Sequence, residues 1–296
     1  MKRAIKMSLL SLLAMGLLAS CKKEEEPFVP QEPELQADYT ETAFGMNLEM
    51  VYVKGGEFTM GYTEDQGWTI PDSLRDLVRK KYIRKTKLDS YHIGKYEVTQ
   101  AQWEKVMGTT LKEQWALITY GGSIEGEGPD YPMYYVDWED AQEFCKKLSE
   151  QTGKKYVLPT DAMWEYAARG GVHKTKTQFA GSNDIEEVAW YEGNSEDVGR
   201  THPDYGTHPV GTKKANALGI YDMSGNVSEW CSDWWGEGYD KNDDYNPQGP
   251  AEGFTRVEHG GSWNGSAVYC RVSMKCGSGP ITRVTNLGFR VARSVK

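Results

Sequence analysis

Short alternating apolar runs open the chain and give way to helical spacing further on. Met50-Val51-Tyr52-Val53, then Gly55-Gly56 and Phe58-Thr59-Met60-Gly61, read as two strands joined by a glycine turn. Tyr91-His92-Ile93-Gly94 reads as another strand, running on into Lys95-Tyr96-Glu97-Val98. Thr99 is placed to cap a helix with Ala101, Trp103, Val106 and Met107 on its apolar side, and Gly108 stops it. A second helix is predicted over Trp138–Gln151, capped by Asp137. Its Ala141, Phe144, Cys145 and Leu148 fall at i, i+3, i+4 and i+7, one buried stripe. Leu158-Pro159-Thr160-Asp161 opens a third, with Thr160 as cap and Trp164, Ala167 and Ala168 inward until Gly170-Gly171. From about residue 172 only short strands, turns and Gly/Asn/Asp/Pro loops follow. Helices early and irregular loops late point to an α+β fold, and loops of that length are functional or internally stapled.

The first twenty residues have a different character. Lys2, Arg3 and Lys6 precede an apolar core, Leu9–Leu18, too short to span a bilayer, which is the pattern of a secretory signal. Leu18-Ala19-Ser20-Cys21 resembles a bacterial lipobox, in which Cys21 would be acylated and become the mature N-terminus. Membrane attachment is then by lipid anchor, with the outer membrane as the expected location and the periplasmic or cell-surface face left open. Residues 21–45, with Lys22-Lys23-Glu24-Glu25-Glu26 and Pro27, Pro30 and Pro33, are too polar to build a core and read as a disordered tether. Residues 46–296 form the expected single domain.

Loss of Lys2, Arg3 and Lys6 takes the formal charge from −9 to −12. So acidic a surface excludes nucleic acid and docking on anionic lipid. The 10 Trp and 18 Tyr in a chain of negative mean hydropathy suit an exported, loop-rich fold whose amphipathic aromatics cover polar-ended pockets. Besides Cys21 the thiols are Cys145, Cys231, Cys270 and Cys276. Four cysteines allow three pairings, which sequence cannot separate, and none shows the CxxC or His-flanked spacing of a zinc site. Asp240-Lys241-Asn242-Asp243-Asp244 opens like an EF-hand loop but has Tyr245 for the sixth-place glycine and Ala251 for the closing glutamate, so it reads as a solvated loop. The five His are scattered, and no Ser/His/Asp triad or phosphate-cradling glycine loop can be nominated.

MVYVKGGEFTMG, YHIGKYEVTQAQWEKVMG, VDWEDAQEFCKKLSEQTGKKYVLPTDAMWEYAARGG, ALGIYDMSGNVSEW, and finally RVEHGGSW with NLGFRVA stand in an order that resembles the formylglycine-generating enzyme (sulfatase-modifying factor) family over about residues 46–293. The resemblance implies an α+β fold, C-type-lectin-like, with few regular elements and long loops. Active members hold copper(I) on two thiols five residues apart and oxidise a sulfatase cysteine. Here Cys270 takes the second position and Gly265 the first, which has no side chain to offer. The family motif GN(V/A)WEW reads Gly225-Asn226-Val227-Ser228-Glu229-Trp230, with Ser228 for a tryptophan near the family's active site. Cys145 matches a cysteine that active members bond to one near the C-terminus, where Val291 stands here. Ser262 keeps the family's active-site serine position. Cys270 and Ser262 are therefore remnant candidates, and copper is not expected. Three roles stay open for Cys270: a plain buried thiol, a disulfide partner of Cys231 or Cys276, or a remnant ligand.

The resemblance also implies calcium. Asp222, the carbonyls of Gly225 and Val227, and Glu229 map onto a family calcium site, and two carboxylates bracketing a turn suit a hard cation. A second, weaker site maps near Asn194 and Ser195. The expected function is a non-catalytic, calcium-stabilised scaffold or binding module, with an envelope protein complex of the secretion or gliding type or a glycan as partner. The alternative is a formylglycine-generating oxidase or another oxidative enzyme acting on a protein cysteine.

Overall fold

The computed structural model describes residues 36–64, 73, 83–118, 121–236 and 244–294. The signal, Cys21, most of the expected tether and Asp240–Asp243 lie outside the described residues. In chain order the elements are β1 (Tyr39–Ala43), β2 (Met46–Val53), β3 (Gly56–Met60), β4 (Arg84–Leu88), β5 (Tyr91–Gly94), α1 (Gln100–Met107), α2 (Leu111–Trp115), α3 (Trp138–Thr152), β6 (Tyr156–Val157), α4 (Asp161–Ala168), α5 (Ile185–Val188), α6 (Glu192–Ser195), β7 (Ser228–Trp234), β8 (Arg256–His259), β9 (Lys275–Ser278), β10 (Leu287–Gly288) and β11 (Ala292–Ser294). One sheet has the order β1-β2-β5-β11-β6, a second β10-β7-β8-β9, and β3 pairs with β4 alone. The fold is α+β, with short helices and long loops.

Helix boundaries follow local chemistry. Thr99 and its N3 partner Gln102 form a reciprocal capping box at α1, and Gly108 ends it in the left-handed conformation at φ 75°. Asp137 accepts from the Asp140 amide at the start of α3, Gly153 closes it, and the buried residues are Ala141, Phe144, Cys145 and Leu148 as the spacing predicts. That stripe packs Phe144 against Trp103 (ring centroids 6.0 Å) and Phe289 (5.2 Å). A second core gathers Val53, Ile93, Trp164, Ala167 and Cys231 between α4 and the sheets.

Two boundaries differ from expectation. The domain begins before residue 46, because Tyr39–Ala43 pairs antiparallel with Met46–Met50, Tyr39 opposite Met50. A polar strand is a poor sequence signal but an adequate ladder partner, since backbone groups alone make the pairing. On α1 the buried residues are Gln100, Trp103 and Val106, while Ala101 and Met107 are only partly covered. Gln100 is inside because its amide donates to Gly126 O and Pro132 O (both 3.1 Å) and its carbonyl accepts from Gly128 N (3.1 Å).

Candidate functional site

The turn between β8 and β9 carries the remnant candidates. Gly260 and Gly261 adopt φ of 95° and 68°, and a Cβ on Gly261 would lie 2.9 Å from the Cys270 sulfur, so the signature glycines let two backbone strands touch. Ser262 follows them at the edge of a small polar cavity of about 200 Å³, together with Ser228, His259, Gly265, Cys276 and Asn286. Its hydroxyl donates to Asn264 Oδ1 (3.0 Å) and accepts from Asn286 Nδ2 (3.2 Å), which also donates to Asn264 Oδ1 (2.7 Å). Ser262 is thus a corner of an amide triangle. Among the described residues no general base bonds its hydroxyl, so this geometry does not activate its oxygen.

The thiols are placed apart. Cys145 belongs to the first core, Cys231 to the second, and Cys270 to a small cluster with Phe179 and Val188. Cys145, Cys231, Cys270 and Cys276 are all free. The disulfides left open between Cys270 and Cys231 or Cys276 are not formed, and separate packing of Cys231 and Cys270 explains the first case. Cys270 is fully buried and does not line the cavity; burial pushes its thiol up to about 12. A thiol so held is neutral and inert at neutral pH. Cys276 does line the cavity, and burial, then the nearby Glu258 carboxylate, push it up to about 11. Gly265 sits where a second thiol would be needed; a Cβ there would meet Ser262 Oγ at 3.2 Å.

Beneath the cavity, His259 is held from both sides. Nε2 contacts Asp161 Oδ1 (2.6 Å) and Nδ1 contacts Met274 O (3.1 Å). Both ring nitrogens are engaged by these partners, and neither is left to act as a base toward the cavity. Asp161 also pairs with Lys275, and the Lys275 charge with the His259 hydrogen bond holds its carboxyl well below the usual carboxylate range despite full burial. Asp233 packs behind it, accepting from the Asp161 amide (3.0 Å) and the Ser232 hydroxyl (3.0 Å). Burial, then the Asp161 charge, push Asp233 up to about 7.

Of the expected calcium ligands, Glu229 is engaged by an organic cation. Glu229 Oε2 and Oε1 accept from Arg290 Nε and Nη2 (2.6 Å each), and Oε2 also accepts from the Trp164 indole (2.7 Å). Arg290 further donates to Gly94 O (2.9 Å) and Tyr221 O (3.0 Å). Asp222, itself in the left-handed region at φ 57°, accepts from the Gly211 amide (2.7 Å). Gly225 is obligatory, since a Cβ would lie 2.1 Å from Trp190 O. Glu97 completes the group, accepting from Val227 N (3.0 Å) and Asn226 Nδ2 (2.6 Å). With the Arg290–Glu229 fork closed, both Glu229 oxygens are occupied and not available to a calcium ion. At the second expected site, Asn194 Oδ1 accepts from Tyr191 N (2.9 Å) and Ser195 Oγ (3.2 Å), while Nδ2 donates to Glu186 and Ala189 O (both 3.0 Å). Asn194 and Ser195 staple the short α6 turn. Among the described residues, no group of three or more His, Cys, Asp or Glu is arranged to hold a metal.

Three residues of this region escaped sequence reasoning as site residues: Glu97, Asn286 and Arg290. Arg290 had a signal, a lone charge between Phe289 and Val291 in an apolar run. Asn286 and Glu97 offered none beyond their place in the long motifs.

The profile of the sulfatase-modifying factor enzyme 1-like domain matches residues 36–295. The chain is 34% identical over 255 residues to chaperone protein LppX of Paenibacillus barcinonensis, covering 70% of this chain and 81% of that one. It is 31% identical over 293 residues to the formylglycine-generating enzyme of Mus musculus, covering 82% and 74%. Among solved structures it is similar to Treponema denticola variable protein 1, at 29% identity and TM-score 0.67, covering 86% of this chain and 98% of that one.

Proposed function

The chain belongs to the sulfatase-modifying factor family, and we propose that within it this protein is a non-catalytic scaffold or binding module, held at the outer membrane by a lipid on Cys21. The observation that carries the non-catalytic reading is Gly265 beside Ser262: the cavity offers no thiol at that position, and Cys270 is packed away from it with a neutral sulfur. Ser262 and His259 do not fill the gap, since both are committed to structural hydrogen bonds. LppX, named a chaperone protein, supports a role built on contact rather than turnover in a relative of this fold. A partner protein or glycan of the cell envelope fits that role.

The rival reading, an oxidase acting on a protein cysteine, draws on the identity to formylglycine-generating enzymes. Incubation of the purified protein with copper and a peptide carrying a sulfatase-type cysteine separates the two. The expected result is unmodified cysteine by mass spectrometry; formylglycine would replace the scaffold by the oxidase. The anchor is tested apart from this. Cys21→Ser leaves no acylation site and releases the protein from membranes, whereas a variant that sediments with membranes after a high-salt wash carries its anchor elsewhere.

Calcium stabilisation is part of the proposal. It rests on the mapped residues and on the charge of the Arg290 group, where Glu97, Asp222 and Glu229 surround one guanidinium, all of them buried. A divalent cation would offset that excess, at the cost of rearranging Glu229.

A further inference from the structure

The β3–β4 hairpin stands apart from both larger sheets and packs on α4, with the Phe58 and Tyr166 rings 5.0 Å apart. Between this hairpin, the turn after α4 and residues 244–245 lies a cleft of about 630 Å³, against 200 Å³ for the Ser262 cavity. Its size is that of a ligand pocket for a molecule of several rings. Phe58, Thr86, Tyr166 and Tyr245 line it.

Its charge opposes that of the chain. Lys85 and Lys87 come from β4 and Lys174 and Lys176 from the facing turn, in a protein of formal charge −9. Among the described residues these four lysines form no ion pair. The acids of the lining are Glu57 and Asp244, and Asp244 is held by Arg84 (3.1 Å). The turn that carries Lys174 is fixed. Lys174 sits at φ 48°, a conformation rare for a residue with a side chain, and the adjoining Thr175 bonds Arg169 O through its amide (3.0 Å) and hydroxyl (2.8 Å). One polar atom is unpaid: Thr86 Oγ1 is buried, at 2% exposure for the residue, and has no hydrogen-bond partner. A buried hydroxyl in that state wants a donor or acceptor from outside.

We propose that this cleft binds an acidic oligosaccharide, one whose sugars carry carboxylate or sulfate groups. Lysines on both walls suit anionic groups spaced along a ligand rather than gathered at one end, as in a nucleotide. Aromatic rings between them suit the apolar faces of sugar rings, and the Thr86 hydroxyl suits a sugar hydroxyl. Nothing in this depends on the Ser262 cavity, so the cleft keeps its ligand whether or not the protein is an enzyme.

Calorimetric titration of the purified full-length chain tests it with four probes: a polyuronate tetrasaccharide, a sulfated galactan tetrasaccharide, neutral cellotetraose and a glutamate-rich octapeptide. At least one acidic sugar binds tenfold or more tighter than cellotetraose and the peptide, and weakens as salt rises. Which of the two binds distinguishes carboxylate from sulfate. Lys174→Glu with Lys176→Glu lowers that affinity at least tenfold and Thr86→Val about threefold, with Lys105→Glu on α1 as an unaffected control and melting curves to show that each variant folds. Equal binding of cellotetraose, tighter binding of the peptide, no binding of either acidic sugar, or charge reversal without effect in a folded variant would overturn the proposal.

Discussion

Two buried charge clusters lie under the signature motifs, and they are built with opposite balance. Around Arg290 one cation meets three carboxylates, Glu97, Asp222 and Glu229. Around Asp161 one carboxylate meets the Lys275 ammonium and the His259 imidazole, with Asp233 behind. Trp164 joins them: its indole donates to Glu229, and its ring stacks on His259 at 4.5 Å and 8°. The acid-rich cluster has negative charge to spare. Burial, then Asp222 and Glu229, push Glu97 well above the usual carboxylate range, and burial pushes Asp222 up to about 6. In the other cluster Asp161 is held low. The same desolvation penalty is thus answered by a proton in one place and by Lys275 with the His259 hydrogen bond in the other.

The comparison breaks first at Arg290. Arg290→Met leaves three buried carboxylates without a cation and should cost about 3–5 kcal/mol, read as a lower urea midpoint. A loss under about 1 kcal/mol would mean that the carboxylates do not depend on it. Asp161→Asn should cost less, about 2–3 kcal/mol, because Lys275 retains 18% side-chain exposure and can turn toward water. If it costs more than Arg290→Met, the ranking of the clusters is reversed.

The response to pH sharpens the contrast. A carboxyl raised on folding, such as Asp222 at about 6 and Asp233 at about 7, contributes stability that is fully present below its unfolded value near 4 and is lost as pH rises through the folded value. Stability should therefore fall between about pH 4 and 7, by at most about 1.4 kcal/mol per pH unit per group. Asp161, held low, works the other way: its contribution is present above pH 4 and disappears as pH falls below it. Asp233→Asn, whose amide can keep the bonds to the Asp161 amide and Ser232, should flatten the neutral-range slope and leave the share of the Arg290 cluster. A slope unchanged by that substitution would move the titration away from Asp233.

Calcium addresses that remaining share. If it binds at Asp222 and Glu229, it stabilises by about 2.7 kcal/mol at one hundred times its dissociation constant, and it should erase the slope due to Asp222. Melting curves in chelator and in calcium, run at pH 5 and pH 8, check both. Identical curves at both pH values leave Arg290 as the cluster's sole cation. The smallest effect is expected of Gly265→Cys, which crowds Ser262 Oγ at 3.2 Å and should cost under about 1 kcal/mol. Its worth is chemical: copper binding by this variant and not by the parent would show that one missing thiol separates the two.

The sequence by itself determined the three longest helices, the family and the missing thiol. Thr99, Asp137, Thr160, Gly108 and Gly153 act on backbone groups a turn away, and the Ala141–Leu148 stripe repeats within a single helix. Such signals are local, so they survive without the rest of the molecule. Gly265 lacks a thiol in any fold. The tertiary structure decided what each buried polar group meets. Arg290 is 61 residues from Glu229 and His259 is 98 from Asp161, and Tyr39 opens the domain only because Met50 lies beside it. It also sent Cys231 and Cys270 into separate cores. A buried charge takes the partner that the assembled chain brings within 3 Å, and the spacing of residues along the chain carries no record of that distance.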